Sequence, residues 1–120
     1  MYQSNAASIY KQNQINTASP KQLIILLYQG AIKNIRHAEL AVEKNDLSLK
    51  NEKLIKAQNI IQELQSSLDF AQGADIAKEL DALYTFMLGE LIQANVNKDI
   101  EKMTNVRTLL NDLLTSWNAI

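Results

Sequence analysis

Apolar residues recur at alternating steps of three and four residues in four stretches of the chain, the spacing of one face of an α-helix. The first series consists of Ile24, Tyr28, Ala31, Ile35, Ala38 and Val42. The second consists of Leu54, Ala57, Ile61, Leu64 and Leu68. The third consists of Ile76, Leu80, Leu83, Met87 and Leu91, and the fourth of Met103, Val106, Leu110, Leu113 and Trp117. Each series predicts one helix with an apolar seam.

Helix-start signals predict where the first of these helices begins. Ser19 is a favourable N-cap, Pro20 suits the first helical position, and Gln22 has the spacing of a capping box. We expect this helix to end near Lys44, where a cation stabilises the helix dipole. The second helix is then expected to begin within residues 46–51.

Turn residues mark the remaining boundaries. The second helix is expected to run to about Phe70, and Gly73 is the predicted C-cap glycine after it. Asp75 is the predicted N-cap of a third helix that ends near Asn95, and Asp99 is the predicted N-cap of the fourth.

Long helices joined by short turns pack as antiparallel neighbours. The prediction is therefore an all-α fold, an antiparallel four-helix bundle formed by residues 19–120 within a single domain of residues 1–120. Residues 1–18 form a polar arm, in which Ile9 and Tyr10 are candidate anchors of a short N-terminal fifth helix.

Composition excludes several functions. A formal net charge of −1 offers no basic field for nucleic acid or anionic membrane surfaces. No apolar run approaches the roughly 18 residues of a membrane span. The chain has no cysteine, so a disulfide framework and thiolate metal ligands are absent, which suits the cytoplasm. We expect no cofactor and no structural metal.

Candidate catalytic groups are also missing. The only histidine, His37, has Asn34 three residues before it, so the Glu-x-x-His pair of a di-iron bundle is absent. We expect His37 to be solvated, and Glu39 and Glu43 to lie on a solvated face. The sequence therefore predicts a binding protein and not an enzyme.

Apolar residues beyond the seams are the candidate partner contacts. Leu23 to Tyr28 are six apolar residues in a row, more than one seam requires, so the start of the first helix is expected to be surrounded. Gly30, in the middle of that helix, is expected to allow a close approach of another helix. The predicted partner-binding residues are Ile9, Tyr10, Leu23, Leu26, Ile55, Ile60, Tyr84, Phe86 and Leu88.

The run TASPKQLIILLYQGA, residues 17–31, resembles the signature of the flagellin-specific export chaperones, the FliS family. The rest of the chain is similar to that family in the same order, in residues 51–64 with Leu68 and Asp69, residues 73–77 with Leu80, Leu83, Tyr84 and Met87, residues 91–95, and Trp117.

Three positions depart from the family pattern. Of the arm motif Asn-Pro-Tyr-x-x-Tyr only the second tyrosine remains, as Tyr10. Gln29 replaces the aspartate of a Tyr-Asp-Gly sequence, and Ala74 stands where the family has a second glycine.

The resemblance implies a cytoplasmic chaperone that holds the C-terminal segment of flagellin in apolar grooves before type III export and prevents premature polymerisation. It also implies that the arm moves when the client binds. Other flagellar export components are candidate further partners. The alternative is a structural bundle that buries its surplus apolar faces in a homodimer, and the mass of the protein without client distinguishes the two.

Overall fold

The structure is a computed structural model that describes residues 19–120 and consists of α-helices. The helices are α1 (Pro20–Glu43), α2 (Leu47–Ser66), α3 (Phe70–Asn97) and α4 (Ile100–Ala119). The predicted all-α bundle is confirmed. The proposed fifth helix, with Ile9 and Tyr10, lies outside the described residues.

The helices form a closed ring in which α1 and α3 each pack against both α2 and α4. Contacts between helix ends show the antiparallel arrangement. Lys50 at the start of α2 donates from Nζ to the carbonyl oxygen of Asn95 at the end of α3, at 2.7 Å. Glu39 near the end of α1 contacts Arg107 in the first half of α4. Lys50 thus provides a partner for one of the carbonyl groups that the end of α3 leaves free.

The core lies along the bundle axis and uses the predicted seams of α1, α2 and α4, together with Leu80, Leu83, Met87 and Leu91 of the predicted third seam. The buried hydrophobic residues are Tyr28, Ala31, Ile35, Ala38, Ala41, Leu54, Ala57, Ile61, Leu64, Ala77, Tyr84, Met87, Leu91, Ala94, Met103, Val106 and Leu110. Towards one end, Ile24, Leu68 and Trp117 are partly buried against this cluster.

Two of the predicted helix starts are confirmed by their caps. Ser19 Oγ accepts from the backbone N–H of Gln22 at 3.2 Å, and the Gln22 side chain accepts from the N–H of Ser19 at 2.9 Å. Asp99 accepts from the N–H of Lys102 at 3.2 Å. Each cap satisfies donors that the first helical turn leaves without a partner.

The expected boundary between the second and third helices is wrong. Asp69, not Asp75, is the N-cap of α3, and its Oδ1 accepts from the N–H groups of Ala71 and Gln72. The second helix ends at Ser66, so Gly73 is not its C-cap glycine. Gly73 lies instead in the first turns of α3.

Ala74 interrupts α3 with φ 44° and ψ −116°, a backbone conformation that favours glycine. The seam of α3 starts after this break at Ala77 and continues through Tyr84 and Met87. Ile76 lies one position away from this seam and is 67% exposed, so its predicted place in the core is wrong.

We expect Gly89→Ala to raise the free energy of unfolding by roughly 0.5–1 kcal/mol, because alanine is the better helix former. Gly89 is exposed, and a Cβ there would meet nothing within 4 Å. At Gly73 an added Cβ would lie 2.9 Å from Ala77 Cβ, so Gly73→Ala should destabilise the protein. Urea unfolding of both variants measures the two effects, and equal shifts in one direction would contradict the packing described.

Candidate partner-binding groove

Two surface hollows lie along the packing line of α1 and α2, one towards each end, and we call this line with its two hollows the α1–α2 groove. Its first end is an apolar hollow of about 510 Å³ lined by Pro20, Leu23, Ile24, Leu26, Leu27, Glu63 and Ser67. The cap at Ser19 starts α1 at this point and turns the surplus leucines towards the hollow. Leu23 and Leu26 are only half-buried, so they present apolar surface that the core does not cover.

The middle of the groove is the place where α1 and α2 approach closely. A Cβ added at Gly30 would lie 3.3 Å from Ile60 Cδ1, a tight contact. Glycine in a helix interior costs about 1 kcal/mol relative to alanine. The packing of Ile60 over Gly30 accounts for that cost and agrees with the expected close approach of a helix at this glycine.

The second end of the α1–α2 groove is lined by charged as well as apolar side chains. A hollow of about 340 Å³ is lined by His37, Leu40, Ala41, Lys44, Asp46, Leu49 and Lys53. His37 is half-buried here, which corrects the expectation of a solvated side chain. The leucine and alanine side chains form an apolar floor, and cationic side chains lie around it.

Tyr84 is not a surface residue. It is 2% exposed, and its hydroxyl shares a hydrogen bond of 2.5 Å with the hydroxyl of Tyr28. The two rings are tilted by 50° with their centroids 6.5 Å apart. Burial raises the pKa of Tyr84 far above its ordinary value, and the hydrogen bond to Tyr28 raises it further. The expectation that Tyr84 lies outside the seam is wrong, since it is part of the core.

The other predicted contact residues lie on different faces of the bundle. Ile55 is exposed one turn after Asn51, which bonds to Asn95 of α3. Leu88 is half-buried, three residues after Thr85, which accepts a hydrogen bond from Gln65 of α2. Both therefore belong to the side of the bundle formed by α2 and α3.

Phe86 lies on another side and is 53% exposed. It precedes Glu90 by one turn, and the Glu90 carboxylate binds Lys102 of α4 at 3.0 Å. Of the predicted residues, the α1–α2 groove therefore unites only Leu23, Leu26 and Ile60. Ile9 and Tyr10 belong to the arm, outside the described residues.

A buried carboxylate that the sequence pattern did not predict joins α1 to α4. Glu39 is 1% exposed, so its expected place on a solvated face is wrong. Its carboxylate accepts from Arg107 Nε at 2.6 Å, from Thr104 Oγ1 at 2.9 Å and from Arg36 at 3.4 Å. The hydrogen bond to Glu39 raises the pKa of Arg107. A buried charge is tolerated when it is paired and hydrogen-bonded in this way.

The sequence does contain a signal for this cluster. Glu39 follows one buried residue, Ala38, and lies one helical turn after another, Ile35. The chain has two arginines, Arg36 and Arg107, and both bind Glu39. A carboxylate beside an apolar seam in a chain with few guanidinium groups is a candidate for this kind of pairing.

Among residues 19–120, no group of three or more His, Cys, Asp or Glu side chains is placed to hold a metal ion. None of the helices in that range has both the length and the apolar content that a membrane span requires.

Comparison with known proteins places the chain in a family. The family model described as flagellar protein FliS matches residues 2–120. The chain belongs to the FliS family. The flagellar secretion chaperone FliS of Bacillus subtilis is 40% identical over 94% of this chain and 84% of the relative. The corresponding Salmonella typhimurium protein is 36% identical over 100% of this chain and 93% of its own.

A solved structure described as a flagellar chaperone from bacteria has the same fold. It aligns with a TM-score of 0.79 and 24% identity, covering 98% of this chain and 95% of its own. FliS proteins are flagellar secretion chaperones, so this member is a chaperone and not an enzyme, as predicted.

For this FliS protein we expect Arg107→Ala to lower the free energy of unfolding by roughly 3 kcal/mol, because it leaves the buried Glu39 carboxylate without its main partner. Arg36→Ala is the matched control. Arg36 is half-exposed and contacts the same carboxylate at the longer distance of 3.4 Å, so its loss should cost less than about 1 kcal/mol. Equal losses in urea unfolding would show that Arg107 has no special role.

Proposed function

We propose that this protein binds the C-terminal segment of flagellin in the cytoplasm, keeps it from polymerising and delivers it to type III flagellar export. Membership of the FliS family supports a secreted flagellar client. The observation that carries the proposal is the apolar hollow of the α1–α2 groove. There Leu23 and Leu26 present leucine surface that the core leaves uncovered.

The groove suits an amphipathic helix. Helix-in-groove recognition places the apolar face of a partner helix against a hydrophobic channel between elements of the receptor. Apolar burial contributes about 25 cal/mol per Å² of surface, and the cost of ordering a disordered client offsets part of it. Binding should therefore be accompanied by a gain of helix in the client and by a negative heat-capacity change.

Charged substitutions at Leu23 and Leu26 test this function. We expect Leu23→Glu and Leu26→Glu each to weaken binding of the flagellin C-terminal segment by roughly 1–3 kcal/mol, because a few buried anchors dominate such interfaces. Both side chains are half-buried and outside the core cluster, so the bundle should stay folded. Isothermal titration calorimetry measures affinity, and circular dichroism measures the helix gained on binding.

Val96→Glu is the control for these substitutions, since Val96 is 76% exposed on α3 and away from the groove. It should bind as the unmodified protein does. The proposal would be abandoned if the segment bound without a gain in helicity, or if both leucine variants matched Val96→Glu in affinity.

The proposal also gives a role to the N-terminal arm, residues 1–18. We propose that Ile9 and Tyr10 dock on the bundle near the start of α1 and move away when the client binds. Support comes from their distance to Ser19, since nine extended residues can span about 30 Å. The apolar hollow begins at Pro20, directly after that residue.

Deletion of residues 1–14 should leave the bundle folded and change its affinity for the flagellin segment. We expect tighter binding, because a docked arm covers apolar surface that the client requires. The full-length double variant Ile9→Ser/Tyr10→Ser should reproduce the change, which separates the role of these two side chains from that of the arm as a whole. Unaltered affinity in the truncated protein would refute a moving arm.

A further inference from the structure

The two ends of the α1–α2 groove differ in charge as well as in apolar content. At the first end the charged residue that lines the hollow is Glu63, together with six uncharged residues. At the second end His37, Lys44 and Lys53 surround the apolar floor, and Asp46 is the acidic residue. The Asp46 carboxylate is already engaged, because it accepts from the N–H of Leu49 at 3.1 Å as the N-cap of α2.

Further cations lie between the two ends on the same helical faces. Lys56 follows Lys53 by three residues on α2, and Lys33 precedes His37 by four residues on α1. Lys56 has a weak exposed contact of 3.8 Å with Glu52. The charged residues of the two hollows therefore differ: Glu63 lines the end beside the start of α1, and Lys44 and Lys53 outnumber Asp46 at the other end.

A helix that binds between these two differently charged ends has a preferred direction. The helix macrodipole is equivalent to about half a positive charge at the N-terminus and half a negative charge at the C-terminus. The C-terminal end of a bound helix, with any carboxylate it carries, is therefore stabilised beside Lys44 and Lys53. Its N-terminal end is stabilised beside Glu63. Leu23 on α1 and Lys44, the C-cap of α1, are 21 residues apart, so a client helix of about 31 Å reaches from the first hollow to the second.

We propose that the hollow lined by His37, Lys44 and Lys53 is a carboxylate site for the C-terminal end of an amphipathic client helix, so that the bound helix runs parallel to α1. This inference rests on the proposed function, with the flagellin segment as the client. The carboxylate has two chemical sources: the chain terminus of the client, or an Asp or Glu side chain in its last turn. Leu40 and Leu49 form the floor for the apolar residue beside it.

The test compares Lys44→Gln/Lys53→Gln with the charge-matched control Lys78→Gln/Lys98→Gln, whose lysines are exposed on or at the end of α3. The probe is a synthetic flagellin C-terminal segment with a free terminal carboxylate. We expect the Lys44/Lys53 variant to bind it roughly three- to tenfold more weakly than the control, the effect of removing two partly exposed cations from one carboxylate.

Two further peptides identify the source of the carboxylate. One is amidated at its C-terminus, and the other has Asn or Gln in place of the Asp and Glu residues of its last turn. The peptide that lacks the bound carboxylate should be insensitive to the Lys44/Lys53 substitution. If the variant and the control bind the free-acid peptide equally, or if a peptide lacking both kinds of carboxylate shows the same loss, the carboxylate site is refuted.

A separate crosslinking experiment measures the direction of the bound helix. A photoreactive group at the C-terminal end of the peptide should crosslink to residues near Lys44, and crosslinks near Leu23 would overturn the parallel orientation. Failure of the unmodified protein to bind any form of the peptide would defeat the proposed function together with this inference. Tight binding that depends on Leu23 and Leu26, but not on Lys44 and Lys53, would defeat the inference alone.

Discussion

The first two turns of α1 carry more apolar side chains than the bundle can bury. Each helix contributes a narrow seam to the core, and on α1 that seam takes Tyr28 and Ala31 in full and Ile24 in part. Leu23 and Leu26 have no place in it, and they remain half-buried beside α2. In a protein that folded only for its own stability, this surplus would be an aggregation liability. In this chaperone it is the surface that we propose holds the client.

The seams of α1, α2 and α4 could be predicted from spacing alone, because a regular alternation of three and four residues places all the apolar residues on one face of the helix. The third seam could be predicted in part: Met87 and Leu91 are buried, and Leu80 and Leu83 pack against the core. Its first residue could not, because the backbone at Ala74 interrupts the helix and Ala77 enters the core instead of Ile76. Position 74 is also where the chain departs from the family's glycine, and its positive φ explains why glycine suits that place.

The candidate site was predictable only in part, for a related reason. The sequence of a single helix shows which residues lie off its seam, but it does not show which neighbouring helix covers them. Leu23, Leu26 and Ile60 lie on one side of the bundle because α1 packs against α2, whereas Phe86 lies on another side. Glu39 was missed because a carboxylate ordinarily indicates solvent, and its partners are 65 and 68 residues away in the sequence. Charge pairing over such separations depends on the tertiary arrangement.

The hydroxyl contact between Tyr28 and Tyr84 joins helices that lie diagonally across the ring. Leucine and alanine seams could slide past each other by one turn, about 5.4 Å, and still present apolar surface to apolar surface. Such a slip would separate the two hydroxyls and leave them unpaired in a dry interior. The tyrosine pair thus fixes the position of α1 along the bundle axis relative to α3. A force along α1 can therefore move this helix lengthwise against α3 only by breaking that contact.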